Sequence, residues 1–180
     1  MRNKIYFIGG AKGVGKSSLL NSKTIKNKGL QIVNTGDFFN RANKIYTYNV
    51  KEKAKQDMLN YLISNTPLIA DTHYAGFLNG IFSGRFERGL YLEELAFLDN
   101  NSDLELILIT LDPKVALERR KKDLINQRDL NFDRIKKEIE ANQSYFEEYC
   151  SQLQKQGTII ENMNYDVAVK SLDKKIKSFL

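Results

Sequence analysis

"IGGAKGVGKSSLL", residues 8–20, sets four glycines and two lysines between apolar residues. Gly10, Gly15, Lys16 and Ser17 meet the spacing G-x-x-x-x-G-K-[ST] of a phosphate-binding loop. The motif also requires a buried strand before it and a helix after it. "KIYFIGG" (4–10) is a short β-branched and aromatic run, and "GKSSLLNSKTIK" has helix-like content, so both conditions are met. Glycines in such a loop let the backbone curl until successive N–H groups point at phosphate oxygens, and the positive end of the helix opening near Lys16 faces the same anion. Lys16 then offers a point charge to the β- and γ-phosphates, and the Ser17 hydroxyl a ligand for Mg²⁺. Lys12 lies inside the loop at a position the pattern leaves open, and reads as a solvent-facing or weakly phosphate-attracted side chain.

Downstream the elements keep alternating. "GLQIVNTGD" (29–37) gives a second strand entering a turn, and "VKEKAKQDMLNYLIS" (50–64) a helix with Ala54, Met58, Leu59, Leu62 and Ile63 on one face. "TPLIADT" (66–72) is a third buried strand and "YLEELAFL" a short helix. "LELILITLD" (104–112) is the most apolar strand, and Pro113 opens the helix "PKVALERRKK" with Asp112 as its cap. Phe132, Ile135, Ile139, Phe146, Tyr149 and Leu153 recur at helical spacing, "GTIIEN" is a fifth strand, and "DVAVKSLDKKIKSFL" a closing helix. Five strands alternating with helices predict an α/β fold, a parallel sheet covered on both faces. Two aperiodic segments, 72–89 and 121–131, are where such folds place function.

The chain of 180 residues suits one domain, residues 1–180, and 42% hydrophobic with 28% charged residues describes a compact globule. It holds no apolar run of about 18 residues, and its N-terminus lacks the pattern of a signal peptide, so the expectation is a cytoplasmic protein without a membrane partner. Cys150, the single cysteine, excludes an internal disulfide or a cysteine metal cluster and reads as a small half-buried hydrophobe. The net charge of +6 would suit nucleic acid or a pocket for phosphorylated small molecules. Charge alone does not separate the two: lysines interleaved with acids read as an ordinary solvated helix face, and the lack of basic tracts interleaved with aromatics ranks nucleic acid lower.

A phosphate-bound Mg²⁺ is usually also held by an acid ending a neighbouring buried strand, and Asp71 ends "PLIAD". Thr72 and His73 follow it, and neither is a glutamate able to activate water, which tilts the chemistry from hydrolysis toward transfer to a second substrate. His73 reads equally as a phosphate contact or as a satisfied buried polar group. "ERRKKDLINQRD" gathers Arg119, Arg120, Lys121, Lys122 and Arg128 just after a strand end, where a closing site would deliver cations to transferring phosphoryl oxygens. Arg119 and Arg128 are the preferred catalytic cations beside Lys16.

"GGAKGVGKSSLL", "NTGDFF", "ADTHYAGF", the block "LELILITLDPKVALERRKKD...QRD" and "GTIIEN" together resemble the nucleoside monophosphate kinases, most closely the archaeal-type adenylate kinases. That resemblance implies a P-loop three-layer α/β/α sandwich with strand order 2-3-1-4-5. It also implies a short lid at about 121–131 and transfer from Mg·ATP to a nucleoside monophosphate, AMP above all. Residues Gly10, Ala11, Lys12, Gly13, Val14, Gly15, Lys16, Ser17 and Ser18 would hold ATP, and Ser17 with Asp71 the Mg²⁺. Thr35 matches the start of the acceptor segment. Asp37, Arg41, Arg85 and Arg88 complete the candidate acceptor site, Asp37 also as a base should the acceptor be a hydroxyl. The departures are Lys12 in place of a small residue or proline, Asn126 and Gln127 where archaeal-type members are richer in arginine, and Asn40 before Arg41. The segment 72–89 also differs from the family's acceptor loop. Two other readings remain: a kinase of a nucleoside or other small metabolite, and an ATP-driven switch protein binding RNA. A trimer would follow the archaeal-type pattern.

Overall fold

The computed structural model describes residues 4–42, 48–77, 86–123 and 128–177, with side chains placed outside 40–51 and 77. Five strands form one parallel sheet: β1 (Lys4–Gly9), β2 (Gln31–Asn34), β3 (Leu68–Asp71), β6 (Asp103–Thr110) and β7 (Thr158–Glu161). Their spatial order is β2-β3-β1-β6-β7. Counting only this sheet's strands, that is 2-3-1-4-5. The two strands between belong to an antiparallel hairpin, β4 (Ala75–Phe77) and β5 (Phe86–Arg88), joined as Ala75↔Arg88 to Phe77↔Phe86. The hairpin occupies part of the aperiodic segment 72–89, where strands of three residues leave no alternation to read.

Central strands buried on both faces account for the unbroken apolar runs. Tyr6, Ile8, Ile107 and Ile109 face one side, packing on α1 (Lys16–Leu20), α2 (Lys23–Lys26), α6 (Pro113–Lys122) and α8 (Tyr165–Lys175). Ile5, Phe7, Leu106 and Leu108 face the other, against α4 (Tyr48–Ser64) and α5 (Leu92–Asn101). The long helix α7 (Phe132–Gln152) contributes to both cores, Ile135 and Ile139 to the first and Phe146 and Tyr149 to the second. Between β2 and α4, the short helix α3 (Gly36–Ala42) follows directly from the second strand.

Caps set the helix starts. Asp112 accepts the backbone N–H groups of Lys114 and Val115 at 2.8 and 3.3 Å beside Pro113, as the sequence predicts. Asn131 and Asn164 likewise cap α7 and α8. Cys150 is half-buried, and burial pushes its thiol pKa up. No helix among the described residues is long and apolar enough to cross a membrane.

Register fixes what meets at the carboxyl edge of the sheet. Asp71 pairs with both Ile8 and Asn34, so the segments after β1, β2 and β3 leave the sheet at one level, and Asn162 N–H bonds Thr110 O beside them. Ligands of open α/β sheets bind along this edge.

Candidate active site

The loop from Gly10 to Gly15 leaves β1 at that edge. Gly10 and Gly15 adopt φ of +149° and +92°. Each position is also filled from outside: a Cβ on Gly10 would run into the Ile109 carbonyl, and one on Gly15 into the Asn162 side-chain amide. These two glycines are therefore required by conformation and by space at once.

Lys16 opens α1 and is buried at 6% exposure. Its Nζ donates to the Gly10 carbonyl at 2.7 Å and lies 3.3 Å from His73 Nδ1. Burial lowers its pKa to about 8, with Arg128 and Lys12 adding to the effect and Asp71 and Glu138 opposing it. His73 Nδ1 approaches the same Gly10 carbonyl at 2.6 Å. A carbonyl only accepts, so that nitrogen carries the proton. Burial first, then the charge of Lys16, holds the imidazole neutral with a pKa of about 3. The structure shows His73 as a half-buried neutral group that braces the loop beside Lys16 and also lines the cleft, so it leaves both readings of this residue in place.

Asp71 lies on the same cleft, half-buried, its carboxyl pKa raised by burial and partly restored by Lys16. Ser17 shares that cleft. A hydroxyl and a carboxylate oxygen are the hard donors Mg²⁺ prefers, and phosphate oxygens supply the rest in sites of this type, so the pair fits the ion. Among the described residues no group of three histidine, cysteine or acidic side chains could hold a metal by itself. Any bound ion would therefore depend on the nucleotide for part of its shell.

Of the predicted phosphate-loop residues, Ala11, Lys12, Gly13, Gly15, Lys16, Ser17 and Ser18 line one cleft of about 450 Å³. Val14 instead faces the core, while its carbonyl accepts from Asn162 Nδ2 at 2.7 Å and from Arg119 at 3.4 Å. Arg119 donates as well to the Asn162 carbonyl at 2.7 Å, which ties the end of β7 to the loop. Arg128 also lines the cleft, ion-paired with Asp123 at 3.0 Å.

Arg120 differs from the solvated arginine its neighbours suggest. It is buried at 4% exposure, donates to the Lys12 carbonyl from Nε and a terminal nitrogen, and pairs with Glu138 of α7 at 2.7 Å. Glu138 accepts the Lys12 N–H at 2.8 Å, so a buried ion pair grips both sides of one loop residue's backbone. Asn142, one turn along, accepts from the amides of Tyr74 and Ala75 and donates to the Glu138 carbonyl. The loop and the hairpin thus hang on one helix. Glu138, Asn142 and Asn162 are absent from the sequence-based site. The signal for the first two was spacing, because both fall on the stripe of Ile135, Ile139, Phe146 and Tyr149, where a polar residue must have a partner.

The predicted acceptor residues whose side chains are described, Thr35, Asp37 and Arg88, do not line one cavity. Thr35 is buried, its Oγ1 3.1 Å from Thr72 Oγ1 and 3.2 Å from the Asp71 carbonyl, so it braces the loops after β2 and β3 and is not among the cleft's lining residues. Asp37 lines a separate cavity of about 270 Å³ with Phe38 and Tyr61, which meets the cleft at Asn34. Arg88 points to α7, paired with Glu148 at 2.6 Å and stacked over the Tyr145 ring, away from the cleft. Arg85 and the lid positions Asn126 and Gln127 lie outside the described residues, as do the side chains of Asn40 and Arg41.

Neither protein-family models nor curated proteins match the chain. Solved structures do. Shikimate kinase from Bacteroides thetaiotaomicron aligns with a TM-score of 0.60 and 13% identity, covering 97% of this chain and 98% of its own. A gluconokinase from Sinorhizobium meliloti 1021 aligns at 0.57 and 10%, covering 96% and 95%. The YorR protein of Bacillus subtilis, in complex with phosphorylated GDP, aligns at 0.63 and 16%, covering 93% and 92%. The chain has the fold of the P-loop kinases. At these identities the likeness carries the fold and leaves the acceptor open.

Proposed function

We propose that the protein is a Mg²⁺-dependent phosphotransferase that moves the γ-phosphoryl group of ATP to a small molecule. The supporting observation is how the residues after Asp71 are used. Thr72 is buried and bonded to Thr35, and His73 donates to the Gly10 carbonyl from Nδ1, while its Nε2, in a ring whose pKa is lowered to about 3, is a weak base toward a hydrolytic water. The other carboxylate lining the cleft among the described residues, Asp123, is paired with Arg128. What faces the phosphates is cationic, which suits a loose transition state that spreads charge over phosphoryl oxygens.

In this reading Lys16 leaves the Gly10 carbonyl to meet the β- and γ-phosphates, and the loop amides hold the rest of the chain of phosphates. Ser17 and Asp71 hold Mg²⁺, whose contribution is to neutralise developing charge. Arg128 faces the transferring group. Arg119 and Asn162 keep Val14, and with it the curve of the loop, in place.

The acceptor is the finer question. Kinases of shikimate and gluconate share the fold, which supports a metabolite acceptor. "NTGDFF" and "ADTHYAGF" support the narrower reading of AMP, although Thr35 is turned inward. ADP release with Mg·ATP, measured against AMP, other nucleoside monophosphates, nucleosides, gluconate and shikimate, tests both. ATP-dependent, salt-sensitive RNA binding with no transfer to any small acceptor would overturn the proposal in favour of a switch protein.

A further inference from the structure

Behind the phosphate loop lies a second cavity of about 480 Å³, walled by the β4–β5 hairpin on one side and α7 on the other. It shares Lys12, His73, Arg120 and Arg128 with the donor cleft, so the two cavities adjoin along these residues. Its chemistry is divided. Lys12 and Arg128, the latter in a half-exposed pair with Asp123, supply positive charge, while Ala75, Gly76 and Phe86 supply a small apolar floor. Its carboxylates are already engaged, Glu138 by Arg120 and the Lys12 amide, Asp129 by Arg134 at 2.9 Å.

The smaller cavity beside α3 offers the opposite balance. Its described lining includes the carboxylate of Asp37, the rings of Phe38 and Tyr61, and no lysine or arginine. An acceptor phosphate or carboxylate placed there would face Asp37 with no lysine or arginine among the described lining residues to offset the repulsion.

We propose that the phosphoryl acceptor occupies the cavity between the hairpin and α7, and that it is a small molecule bearing a phosphate or carboxylate, which Lys12 and Arg128 hold. This rests on the phosphotransferase reading for its chemistry, but the anion site stands on geometry alone. In the transfer, the acceptor oxygen forms the new bond to the γ-phosphorus. The β–γ bridging oxygen leaves with ADP and the electron pair, and a hydroxyl acceptor's proton goes to water.

Gly76 provides the means of testing this. A Cβ there meets nothing within 4 Å, so Gly76→Leu adds bulk at the cavity lining with room for at least its first side-chain atom. The experiment records backbone amide NMR shifts of the protein saturated with Mg²⁺ and a non-hydrolysable ATP analogue, on titration with gluconate, shikimate, AMP and inorganic phosphate at millimolar concentration. The expected result is saturable shifts at Ala75, Gly76 and Phe86 with at least one of these anions, weakened about tenfold or more by Gly76→Leu and unchanged by Tyr61→Ala. Gluconate or shikimate alone would identify the carboxylate class, and AMP or phosphate the phosphate class. Shifts confined to Ile32, Val33 and Phe38, or no saturable shift at Gly76 with any of the four, would overturn the site. Saturable binding at Gly76 without ADP release from any acceptor would overturn the phosphotransferase reading and leave the anion site standing.

Discussion

Arg120 and Glu138 lie 2.7 Å apart with side chains 2% and 10% exposed, and between them they hold the backbone of Lys12 by its carbonyl and its N–H. Both charges have left water, so the pair matters less for net stability than for what its loss leaves behind. Glu138→Ala strands a buried guanidinium, and denaturant unfolding should show a loss of about 3–5 kcal/mol. Replacing both residues by apolar ones of similar volume, Arg120→Met with Glu138→Leu, should cost less than Glu138→Ala alone. ATP affinity should fall in the double variant all the same, because Lys12 loses both partners. Equal ATP affinity in the double variant and the parent would show that the loop keeps its shape unaided.

That pair also shows where the sequence stops being informative. The phosphate loop is a local pattern whose glycines, lysine and serine act within eight positions, and the strand and helix around it follow from adjacent apolar periodicity. Asp112 and Pro113 are local for the same reason. Arg120 stands in the run "ERRKK", which resembles any basic helix end, and its partner is on another helix, in a segment rich in charges of both signs. What singled out Glu138 and Asn142 was their place on an apolar stripe, a signal that says "partnered" without saying with whom. Thr35 misleads in the reverse direction. The motif around it is local, but the side chain turns toward Thr72, a relation set only by the register of β2 against β3.

Lys16 makes the apo protein's stability depend on pH. Its pKa is about 8 in the folded chain against an ordinary 10.5. Between those values the unfolded chain carries the proton and the folded chain does not, so stability rises with pH across that window and is independent of this group below it. Lys16→Met should remove that rise, leave the fold intact and add as much as about 3 kcal/mol at neutral pH, since each tenfold loss of proton affinity on folding costs the charged form about 1.4 kcal/mol. Transfer should be abolished. ATP restores the charged ammonium, so calorimetry above pH 8 in buffers of different ionisation enthalpy should detect proton uptake on binding. Lack of buffer dependence would mean that Lys16 stays charged in the free protein.

Gly15→Ala should act on nucleotide binding through two strains at once, a φ of +92° and a methyl placed against the Asn162 amide. The left-handed backbone costs a non-glycine residue about 1–2 kcal/mol, and displacing Asn162 frees the Val14 carbonyl as well. Adding Asn162→Gly to Gly15→Ala removes the collision but not the backbone strain. It should recover part of the folding stability and little ATP affinity, as thermal unfolding and calorimetry would separate. Full recovery of both would assign the defect to the collision alone.

Arg128 and Arg119 should divide turnover from binding. Arg128 lines both cavities, and its bond to Asp123 is half-exposed, the kind of ion pair worth about 0–1 kcal/mol and readily exchanged for a phosphoryl oxygen. Arg128→Ala should therefore lower kcat by about 10²–10³, the range for removing one preorganised donor, with unfolding within about 0.5 kcal/mol of the parent. ATP affinity should change far less. Arg128→Lys should recover only part of the rate, since an ammonium lacks the planar fork. Arg119 is bonded to the Val14 and Asn162 carbonyls, so Arg119→Ala loosens the loop itself, and its loss should register first in ATP affinity. Single-turnover kinetics with the acceptor that proves active, beside calorimetric ATP titrations, distinguishes the two. A normal rate in Arg128→Ala would remove that residue from the transferring phosphoryl group and leave Lys16 and the loop amides as its described contacts.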